Sequence, residues 1–382
     1  MRLLWLTNDF PPRAGGIERF VANLALRICP EESVVIAPDH SGAALHDAAQ
    51  PFPVVRSPGR ILPSPAILRL VRAVSRQHRP DVVVLGASWP LGELAASLGR
   101  DPGLPVVTLT HGLEAGLAGV GLGSLVRRAT RGCAAVTTIS AYAEARLRPY
   151  LAAPLVARVP PGVDVEAFRP GSDGSGFRAR LGIPADALLV GCVARLVRRK
   201  GQDVLLAAWP AVRRQHPEAW LVLVGNGPLE ATLRRSVSRL GPDSHVVFAG
   251  TLAWEHLPAA YAALEVFAMP CRTRLGGIDV EGLGIAYLEA QATGLPVVAG
   301  RSGGAPEALR DGDTGVVIDG NDPGAVAEAV ASLLGDGGRR RAMGERARAW
   351  AVERWSWEAS SDRFQRVLDA VARGRTGDLD PR

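Results

Sequence analysis

The chain has 382 residues, of which 47% are apolar and 21% are charged, a composition that indicates a folded protein and excludes an intrinsically disordered one. This length corresponds to about two or three domains. The 44 basic and 38 acidic residues give a formal net charge of +6. No nucleic-acid-binding motif accompanies this mild excess, so we expect no nucleic-acid partner.

In the first half of the chain, short apolar runs alternate with longer amphipathic segments. Apolar runs of this length, separated by helices, indicate a parallel sheet that is covered on both faces, so we predict a doubly wound α/β domain. The predicted strands are Arg2–Thr7, Ser33–Ala37, Val82–Gly86, Val106–Thr110, Ala135–Ile139 and Arg158–Val159. The clearest helical patterns between them are Gly16–Ile28 and Pro65–Gln77.

A stretch rich in Pro, Gly, Ser and Asp, residues 160–186, interrupts this pattern and is the predicted linker. A second α/β series follows, with strands predicted at Leu188–Val193, Trp220–Val224, Val246–Ala249, Val266–Met269, Pro296–Ala299 and Gly315–Ile318. We therefore predict two doubly wound Rossmann-like domains, residues 1–167 and 168–355, that face across a cleft. Ligands bind at the carboxyl ends of such strands, so this cleft is the expected site.

Residues 356–382 are predicted to form a closing helix and a tail that frays from Arg373. Trp350, Trp355 and Trp357 form a tryptophan cluster close to the end of the chain, and such a cluster needs a surface on which to pack. We expect the closing helix to lie against the first domain. Packing within the second domain is the alternative that spacing alone leaves open.

The spacing of the cysteines and the length of the apolar runs indicate the cellular compartment of the protein. The cysteines are far apart, with neither a CxxC pair nor a Cys/His ligand spacing, at Cys29, Cys133, Cys192 and Cys271. We therefore expect reduced thiols in a cytosolic protein and no metal site built on them. The apolar run Leu3 to Leu6 is too short for a signal peptide, and no run reaches the roughly 20 apolar residues of a transmembrane helix.

Positive charge is concentrated in the first domain, since residues 1–170 contain 18 arginines against 13 acidic residues. This excess favours an anionic partner such as a lipid headgroup or a membrane surface, and solubility with a GC-rich coding bias explains it equally well. Lys200 is the only lysine beside 43 arginines. If any cation served there, the same bias would have placed arginine, so we infer a site that needs a compact ammonium group.

Two loops of the first domain lie at the ligand-binding end of its sheet. Gly15 and Gly16 come just before a helix, where backbone N–H groups favour an anion, so we predict a phosphate contact. A flexible loop that needs glycine is the alternative. His111 directly follows the strand that ends at Thr110 and is placed to donate to a sugar hydroxyl or to the acceptor region. A purely structural histidine is the alternative there.

Arg195 and Lys200 follow the first strand of the second domain. Two cations in one loop suit a diphosphate, with Arg as a bidentate fork and Lys as a point charge. Arg198 and Arg199 are interpreted as a solvated face.

Glu281 and Glu289 follow a glycine-rich loop that leads into a helix. On a continuous helix they would be about 12 Å apart, so they suit two parts of one extended ligand rather than the close acid–nucleophile pair of a retaining glycosidase. Capping or exposed helix acids are the alternative.

Two other patterns are weak. Gly225-Asn226-Gly227 lacks the third glycine of a dinucleotide site, and Asp311-Gly312-Asp313 reads as a turn rather than a metal site.

This ordered set of motifs resembles the retaining glycosyltransferases of family 4, which have the GT-B fold, over about residues 1–370. The motifs are Gly15-Gly16-Ile17-Glu18, His111-Gly112, Pro160-Pro161-Gly162-Val163-Asp164, Arg195 with Lys200-Gly201, Val224-Gly225-Asn226-Gly227-Pro228 and Glu281-x7-Glu289. The stretch from Met269 to Gly284 is more specific. It resembles the GDP-mannose-dependent phosphatidylinositol monomannoside mannosyltransferases of the PimB type.

The resemblance implies transfer of mannose from GDP-mannose to an anionic phosphatidylinositol mannoside at the cytoplasmic face of the membrane, by front-face attack, with peripheral membrane contact and without metal or other cofactor. It implies that Arg195 and Lys200 bind the donor diphosphate. Glu281 and His111 would contact the donor sugar, and Glu289 the ribose. The further implied donor contacts, largely through backbone groups, are Gly15, Gly16, Gly250, Thr251, Leu252, Leu283, Gly284 and Ile285.

Other functions remain open at this point. A family 4 enzyme with another nucleotide-sugar donor or a soluble acceptor is the nearest alternative. A sugar-nucleotide epimerase can share this architecture and would need no acceptor. A non-catalytic nucleotide-binding module or a dehydrogenase is disfavoured by the missing third glycine.

Overall fold

The computed structural model describes residues 1–13 and 15–378. The chain forms two compact units, of which unit 1 contains Met1–Pro161 together with the segment from Trp357 onward, and unit 2 contains Gly162–Ser356. The first boundary therefore comes before the predicted one at residue 167. The reason is that the Val163 N–H donates to the carbonyl oxygen of Trp355 at 2.7 Å and ties this segment to unit 2.

Unit 1 begins with alternating strands and helices. Its strands are β1 (Leu3–Leu6), β2 (Ser33–Pro38), β3 (Val54–Ser57), β4 (Val82–Leu85), β5 (Val106–Leu109), β6 (Ala135–Thr138) and β7 (Leu155–Arg158). Its helices are α1 (Gly16–Arg27), α2 (Ala43–Ala48), α3 (Pro65–His78), α4 (Ala95–Arg100), α5 (Leu113–Gly119), α6 (Gly123–Thr130) and α7 (Ala141–Leu147). The sequence analysis missed β3, because this edge strand is mostly half-buried and lacks a fully apolar run.

Unit 2 repeats this alternation. Its strands are β8 (Leu188–Val193), β9 (Ala219–Val224), β10 (Val246–Gly250), β11 (Val266–Met269), β12 (Val297–Gly300) and β13 (Gly315–Ile318). Its helices are α8 (Ser175–Arg180), α9 (Gln202–Gln215), α10 (Glu230–Leu240), α11 (Leu257–Ala262), α12 (Ile285–Ala292), α13 (Pro323–Gly335) and α14 (Gly337–Trp355). The two parallel-sheet Rossmann-like units establish the predicted α/β fold class.

The closing segment returns to unit 1 as α15 (Trp357–Ala372) and β14 (Gly377–Asp378). The Trp357 ring stacks on Phe20 with ring centroids 6.1 Å apart, so α15 packs into the core of unit 1. Trp350 and Trp355 remain in unit 2, so the predicted tryptophan cluster is divided between the units. The tail was predicted to fray from residue 373. Instead β14 pairs with β7, and residues 379–382 lie outside the described residues.

The strand order locates the sites. In unit 1 it is β14-β7-β6-β5-β4-β1-β2-β3, and in unit 2 it is β10-β9-β8-β11-β12-β13, with all recorded pairs parallel. The order reverses between β1 and β4 in unit 1 and between β8 and β11 in unit 2. Ligands of doubly wound sheets bind outside the carboxyl ends of strands at such a switch point.

The core of unit 1 lies on both faces of its sheet. Leu3 and Trp5 of β1 belong to one hydrophobic cluster, and Leu4 and Leu6 belong to another. This division follows from the period of two along a strand, which sends successive side chains to opposite faces. Among the described residues, no helix has the length and apolar character required to cross a membrane.

Candidate functional site

The loops after β8 and β11, at the switch point of unit 2, are in direct contact. Gly201 has φ +76°, and a side chain at this position would meet the carbonyl oxygen of Pro270. Glycine is therefore required for the two backbones to approach this closely. The Arg272 N–H also donates to the carbonyl oxygen of Arg199 at 2.8 Å. These contacts join the predicted cation loop to the predicted acidic loop.

Lys200 and Glu281 form an ion pair where these loops meet. The Lys200 Nζ lies 2.6 Å from Glu281 Oε2, and the two side chains are only 12% and 9% exposed. The Arg199 Nε lies 3.8 Å from the same oxygen, and the Cys271 thiol donates to it at 3.5 Å. These contacts all use Oε2, so Oε1 of Glu281 is available to a ligand hydroxyl.

Burial and charge together fix the protonation of this pair. Burial alone would lower the pKa of Lys200, but the Glu281 carboxylate outweighs this effect and raises that pKa. Burial alone would raise the pKa of Glu281, but the Lys200 charge outweighs it and lowers that pKa. Both groups are therefore charged at neutral pH. Burial raises the pKa of the Cys271 thiol, so this thiol stays protonated and acts as a hydrogen-bond donor.

Arg195 follows β8 in the same loop and has different surroundings. Its side chain is exposed, and its guanidinium has no ion-pair partner within residues 1–13 and 15–378. The buried side-chain amide of Gln202 donates to the carbonyl oxygen of Arg195 at 3.2 Å and holds the loop in place. The site thus combines a buried, paired ammonium with an exposed guanidinium that is available to a phosphate.

The position of Glu281 is fixed through its backbone. The Glu281 N–H donates to the Ser302 hydroxyl at 3.3 Å, and its carbonyl oxygen accepts from the Gly304 N–H at 2.9 Å. The segment after β12 therefore supports the acidic loop after β11. Because both the N–H and the carbonyl oxygen of Glu281 are hydrogen-bonded, its backbone is fixed, and its carboxylate is held beside Lys200.

Arg199 was predicted to be a solvated side chain, but in the structure it is paired. Its guanidinium lies 3.5 Å from Asp279, and Asp279 also pairs with Arg274 at 3.2 Å. Arg199 therefore links the cation loop to the acidic loop. Arg198 is exposed, as expected of a solvated side chain.

The predicted backbone donors lie at the start of α12. Gly284 has φ +93° and precedes Ile285, the first residue of the helix, and Leu283 before it is buried. The first N–H groups of a helix have no partner within the helix and favour an anion. Because α12 begins at Ile285, Glu281 lies in the preceding loop, and the assumption of one continuous helix through Glu281 and Glu289 is wrong.

Glu289 lies within α12 and is 5% exposed. Its Oε2 accepts a hydrogen bond from the Tyr261 hydroxyl at 2.8 Å, inside the core of unit 2. Neither Glu289 nor Glu281 is an exposed helix acid, which was the alternative to a binding role. The contact of Glu289 with a ribose stays a prediction.

The predicted base-pocket loop lies at the carboxyl end of β10, which is an edge strand of the unit 2 sheet. Gly250 has φ +67°, and its carbonyl oxygen accepts from the Gly225 N–H at 2.7 Å. Thr251 is exposed and Leu252 is half-buried. This loop is placed at the ligand-binding end of the sheet, and its contact with a base stays a prediction.

The predicted residues of unit 1 lie near its own switch point. Gly15 precedes α1, and Gly16 is the first residue of that helix. Glu18, in the first turn of α1, is 4% exposed and pairs with Arg13 at 3.0 Å. The carboxylate of Glu18 therefore already lies close to this helix start, and the predicted phosphate contact stays a prediction.

His111 is held by the segment that follows β4. Its Nε2 lies 2.5 Å from the carbonyl oxygen of Gly86, and its ring packs edge-on against Phe20 with ring centroids 5.6 Å apart. A carbonyl oxygen only accepts, so Nε2 carries the proton. Nε2 is therefore engaged within the protein, and the expected donation from His111 to a sugar hydroxyl stays a prediction.

Sequence reasoning did not find Cys271 or Ser302. Their contacts with Glu281 join segments that are 10 and 21 residues apart, and neither residue belongs to a recognisable spacing. The only available signal was that Cys271 comes two residues after the end of β11, on the ligand-binding side. In the described part of the chain, no group of three His, Cys, Asp or Glu side chains is arranged to hold a metal ion.

Comparison with known proteins covers nearly the whole chain. The family model for glycosyl transferases group 1 matches residues 175–350, and the model for glycosyltransferase family 4 matches residues 14–167. A GDP-mannose-dependent alpha-(1-6)-phosphatidylinositol monomannoside mannosyltransferase of Mycolicibacterium smegmatis is 41% identical, over 98% of this chain and 100% of the relative. A Corynebacterium glutamicum enzyme whose name specifies the monoacylated lipid is 38% identical, over 97% and 99%.

Solved structures support the fold. The crystal structure of Anabaena HepE in complex with UDP superposes with a TM-score of 0.80 at 22% identity, covering 97% of this chain and 100% of the other. A sucrose-phosphate synthase from Thermosynechococcus elongatus superposes with a TM-score of 0.77 at 22% identity, covering 97% and 99%. Sequence identity of 22% to these structures supports a shared fold and nothing about activity.

Proposed function

This chain belongs to glycosyltransferase family 4 and has the GT-B fold, and from that premise we propose that it transfers mannose from GDP-mannose to a phosphatidylinositol mannoside lipid. The names of relatives at 41% and 38% identity support both substrates. The observation that carries the proposal is the buried ion pair of Lys200 and Glu281 at the switch point of unit 2. It supplies a cation for a diphosphate and a carboxylate for sugar hydroxyls at one place.

The donor diphosphate binds at this ion pair. Lys200 acts as a point charge, Arg195 approaches as a bidentate fork from the exposed side, and the first N–H groups of α12 donate to the remaining oxygens. Oε1 of Glu281 accepts from a mannose hydroxyl, while Oε2 keeps its contact with Lys200. This proposal uses Arg195 and Lys200 from the loop after β8 and Glu281 from the loop after β11, at the carboxyl ends of two neighbouring strands.

The reaction breaks the bond between mannose C1 and a diphosphate oxygen and forms a bond from C1 to the acceptor hydroxyl oxygen. The departing diphosphate gains negative charge. Fixed cations stabilise this charge in the transition state without reorganisation. Because Lys200 and Arg195 provide that positive charge, we propose that transfer requires no metal ion.

The configuration at C1 is retained in the proposed reaction. Glu281 is a poor nucleophile and a poor base, because the Lys200 charge lowers its pKa. The acceptor hydroxyl therefore attacks from the face that the diphosphate leaves, and its proton passes to a diphosphate oxygen. The diphosphate thus takes up both the bonding electrons and the proton, and the reaction needs no further base.

A lipid acceptor requires the enzyme to work at a membrane surface, and we propose peripheral contact with the cytoplasmic face. The arginine excess of residues 1–170, 18 against 13 acidic residues, supports attraction to anionic lipid. Arg69 and Arg76 on α3 are exposed in unit 1. Their charge is screened beyond roughly 8 Å at physiological salt, so this attraction acts only near the surface.

Nucleotide release with defined substrates tests the proposal. The protein is incubated with GDP-mannose or with UDP-sugars, with and without phosphatidylinositol mannoside vesicles, and free GDP or UDP is measured. We expect GDP release that depends on the lipid. Release from UDP-sugars alone would indicate another donor, conversion of the donor without any acceptor would indicate an epimerase, and no GDP release under any condition would overturn the proposal.

A further inference from the structure

Arg272 and Asp203 form an ion pair in unit 2 to which the proposed reaction assigns no role. The Arg272 Nη2 lies 2.7 Å from Asp203 Oδ2, and the two side chains are 11% and 33% exposed. Arg272 lies in the loop after β11, and Asp203 lies in the first turn of α9, which follows the loop after β8. The pair therefore joins the two loops that carry Glu281 and Lys200.

Arg272 holds the chain on both sides of Lys200. Its backbone N–H donates at 2.8 Å to the carbonyl oxygen of Arg199, the residue directly before Lys200. Its guanidinium binds Asp203, which comes three residues after Lys200. One residue of the loop after β11 thus fixes the position of the Lys200 backbone from both directions.

A backbone contact between these two points completes the attachment. Gly201 directly follows Lys200, and it packs so closely on the carbonyl oxygen of Pro270 that a side chain there would collide with it. The segments 199–203 and 270–272 therefore meet at three points. A shift of Lys200 relative to the loop after β11 would break at least one of these contacts.

The part of this loop between Arg272 and Glu281 is closed on itself. The Arg274 N–H donates to the carbonyl oxygen of Asp279 at 2.9 Å, and the Arg274 guanidinium lies 3.2 Å from the Asp279 carboxylate. The loop is therefore held in one conformation between its two ends. Through it, the position of Arg272 is coupled to that of Glu281.

The geometry of the ion pair suits positioning better than stabilisation. Its shortest contact uses Oδ2 of Asp203, and the buried Oδ1 has no hydrogen-bond partner among the described residues. A largely buried ion pair offsets its desolvation cost only when its remaining polar atoms are also satisfied, so such a pair is weak evidence for stability. We therefore expect its contribution to appear in the geometry of the two loops.

We propose that Arg272 and Asp203 are positioning residues, whose ion pair sets the place of the Lys200 ammonium beside Glu281 and so against the departing diphosphate. The inference rests on the proposed function for the reaction. Neither side chain contacts the donor in this proposal. A fixed cation stabilises the transition state only where negative charge develops, and a misplacement of about 1 Å can lower a rate about 100-fold.

Steady-state kinetics of GDP release test the positioning role. We expect Arg272→Gln and Asp203→Asn each to lower kcat about tenfold while the KM for GDP-mannose changes less than threefold, because an interaction of the transition state is weakened. The cations that bind the donor, Lys200 and Arg195, remain in both variants. Arg272→Lys should recover most of the kcat, since it keeps a charge opposite Asp203. A wild-type kcat in either neutral variant would overturn the proposal.

The double variant Arg272→Gln/Asp203→Asn separates position from stability. Its kcat should equal that of either single variant, because the two residues act as one unit, whereas independent residues would lose about 100-fold together. Its urea midpoint should stay close to that of the wild type, because no unpaired buried charge remains. A kcat that returns to the wild-type value, or a loss that is additive, would contradict the positioning role.

Titration calorimetry with GDP distinguishes positioning from direct binding of the donor. The Kd of the Arg272→Gln variant should stay within about threefold of the wild type. A Kd that Arg272→Gln raises tenfold and Asp203→Asn leaves unchanged would mean that Arg272 binds the diphosphate itself, and the proposal would fail. Arg346→Gln is the matched control, since Arg346 pairs with Asp313 at 2.5 Å before β13, at the opposite end of the strands, and it should leave kcat and Kd unchanged.

Hydrogen exchange tests the attachment of the loops without catalysis. Backbone amides of residues 199–203 and 270–281 should exchange at least tenfold faster in the double variant, while those of α13 keep their wild-type rate. Unchanged exchange in both segments would overturn the attachment. If the wild type releases no GDP with any acceptor, the proposed function fails, and this measurement still decides whether the ion pair holds the two loops together.

Discussion

Units 1 and 2 share the strand order around their first strands but place different chemistry at the switch point. In unit 2 a charged pair is almost fully buried, with Lys200 and Glu281 12% and 9% exposed. In unit 1 His111 is bonded to a carbonyl oxygen, and a cavity at the same end of the sheet is lined by the exposed Arg60. The shared topology fixes where a ligand lies, and the loops determine whether it meets buried or accessible charge.

The largest effect is expected from removal of the buried cation. Lys200→Ala should lower kcat about 100- to 1000-fold, because the leaving diphosphate loses its fixed cation and Glu281 becomes an unpaired buried carboxylate. GDP release at saturating donor measures it. Lys200→Arg should recover only part of the activity, since a planar guanidinium does not replace a compact ammonium.

Arg198→Ala is the control for this prediction, because Arg198 is exposed in the same loop. The kcat of the Arg198→Ala variant should remain close to that of the wild type. Equal losses in the two alanine variants would place the diphosphate elsewhere and would remove the distinction between buried and accessible charge.

The next effect concerns stability and its pH dependence. Glu281→Gln should destabilise the protein by about 3 kcal/mol at pH 7, because Lys200 is left buried without its partner. The folded pKa of Glu281 lies below its ordinary value of 4.5, so the contribution of the carboxylate is complete above that pH and is lost as the pH falls through the lowered folded pKa. Urea unfolding between pH 3 and about pH 7 measures this trend. A difference between variant and wild type that stays constant below pH 4.5 would contradict the charged pair.

A smaller effect is expected in unit 1. His111→Ala should lower kcat about fivefold, because one hydrogen bond near the ligand-binding edge is worth about 1 kcal/mol. Steady-state kinetics of GDP release measure it, with His78→Ala on α3 as the control. A loss as large as that of Lys200→Ala would show that the two switch points contribute equally, and the comparison between the units would fail.

The smallest effect is expected at Cys271. Its thiol donates to Glu281 Oε2 at 3.5 Å, beside the stronger contact from Lys200. Cys271→Ala should raise the KM for GDP-mannose about threefold, within the range of a weak neutral hydrogen bond, and Cys271→Ser should restore part of the loss. Cys29→Ser, at a half-buried thiol of unit 1, is the control and should leave this KM unchanged.

Much of the fold was predictable, because buried parallel strands are marked by continuous apolar runs. Leu188–Val193, Val266–Met269 and Gly315–Ile318 match the observed strands residue for residue. The edge strands β3 and β14 were missed, since one is half-buried and the other contains only Gly377–Asp378. Neither has an apolar run that periodicity detects.

The candidate site was predictable in its members but not in their mutual contacts. Lys200 and Glu281 were assigned to different parts of one ligand, whereas in the structure they bond to each other at 2.6 Å. These residues are 81 positions apart, and no local pattern encodes a contact between loops of different strands. For the same reason, the sequence did not predict the ion pair between Arg199 and Asp279.

The chain leaves unit 1 after Pro161 and returns to it at Trp357, so unit 2 is an insertion within unit 1. Unit 2 is contiguous in the chain and can complete its core as soon as residue 356 has been synthesised. Unit 1 has to wait for its last helix, because Trp357 and Phe364 belong to the same cluster as Trp5 and Phe20. During translation the N-terminal sheet therefore exposes an apolar face until α15 emerges, and that interval is when chaperone protection matters most.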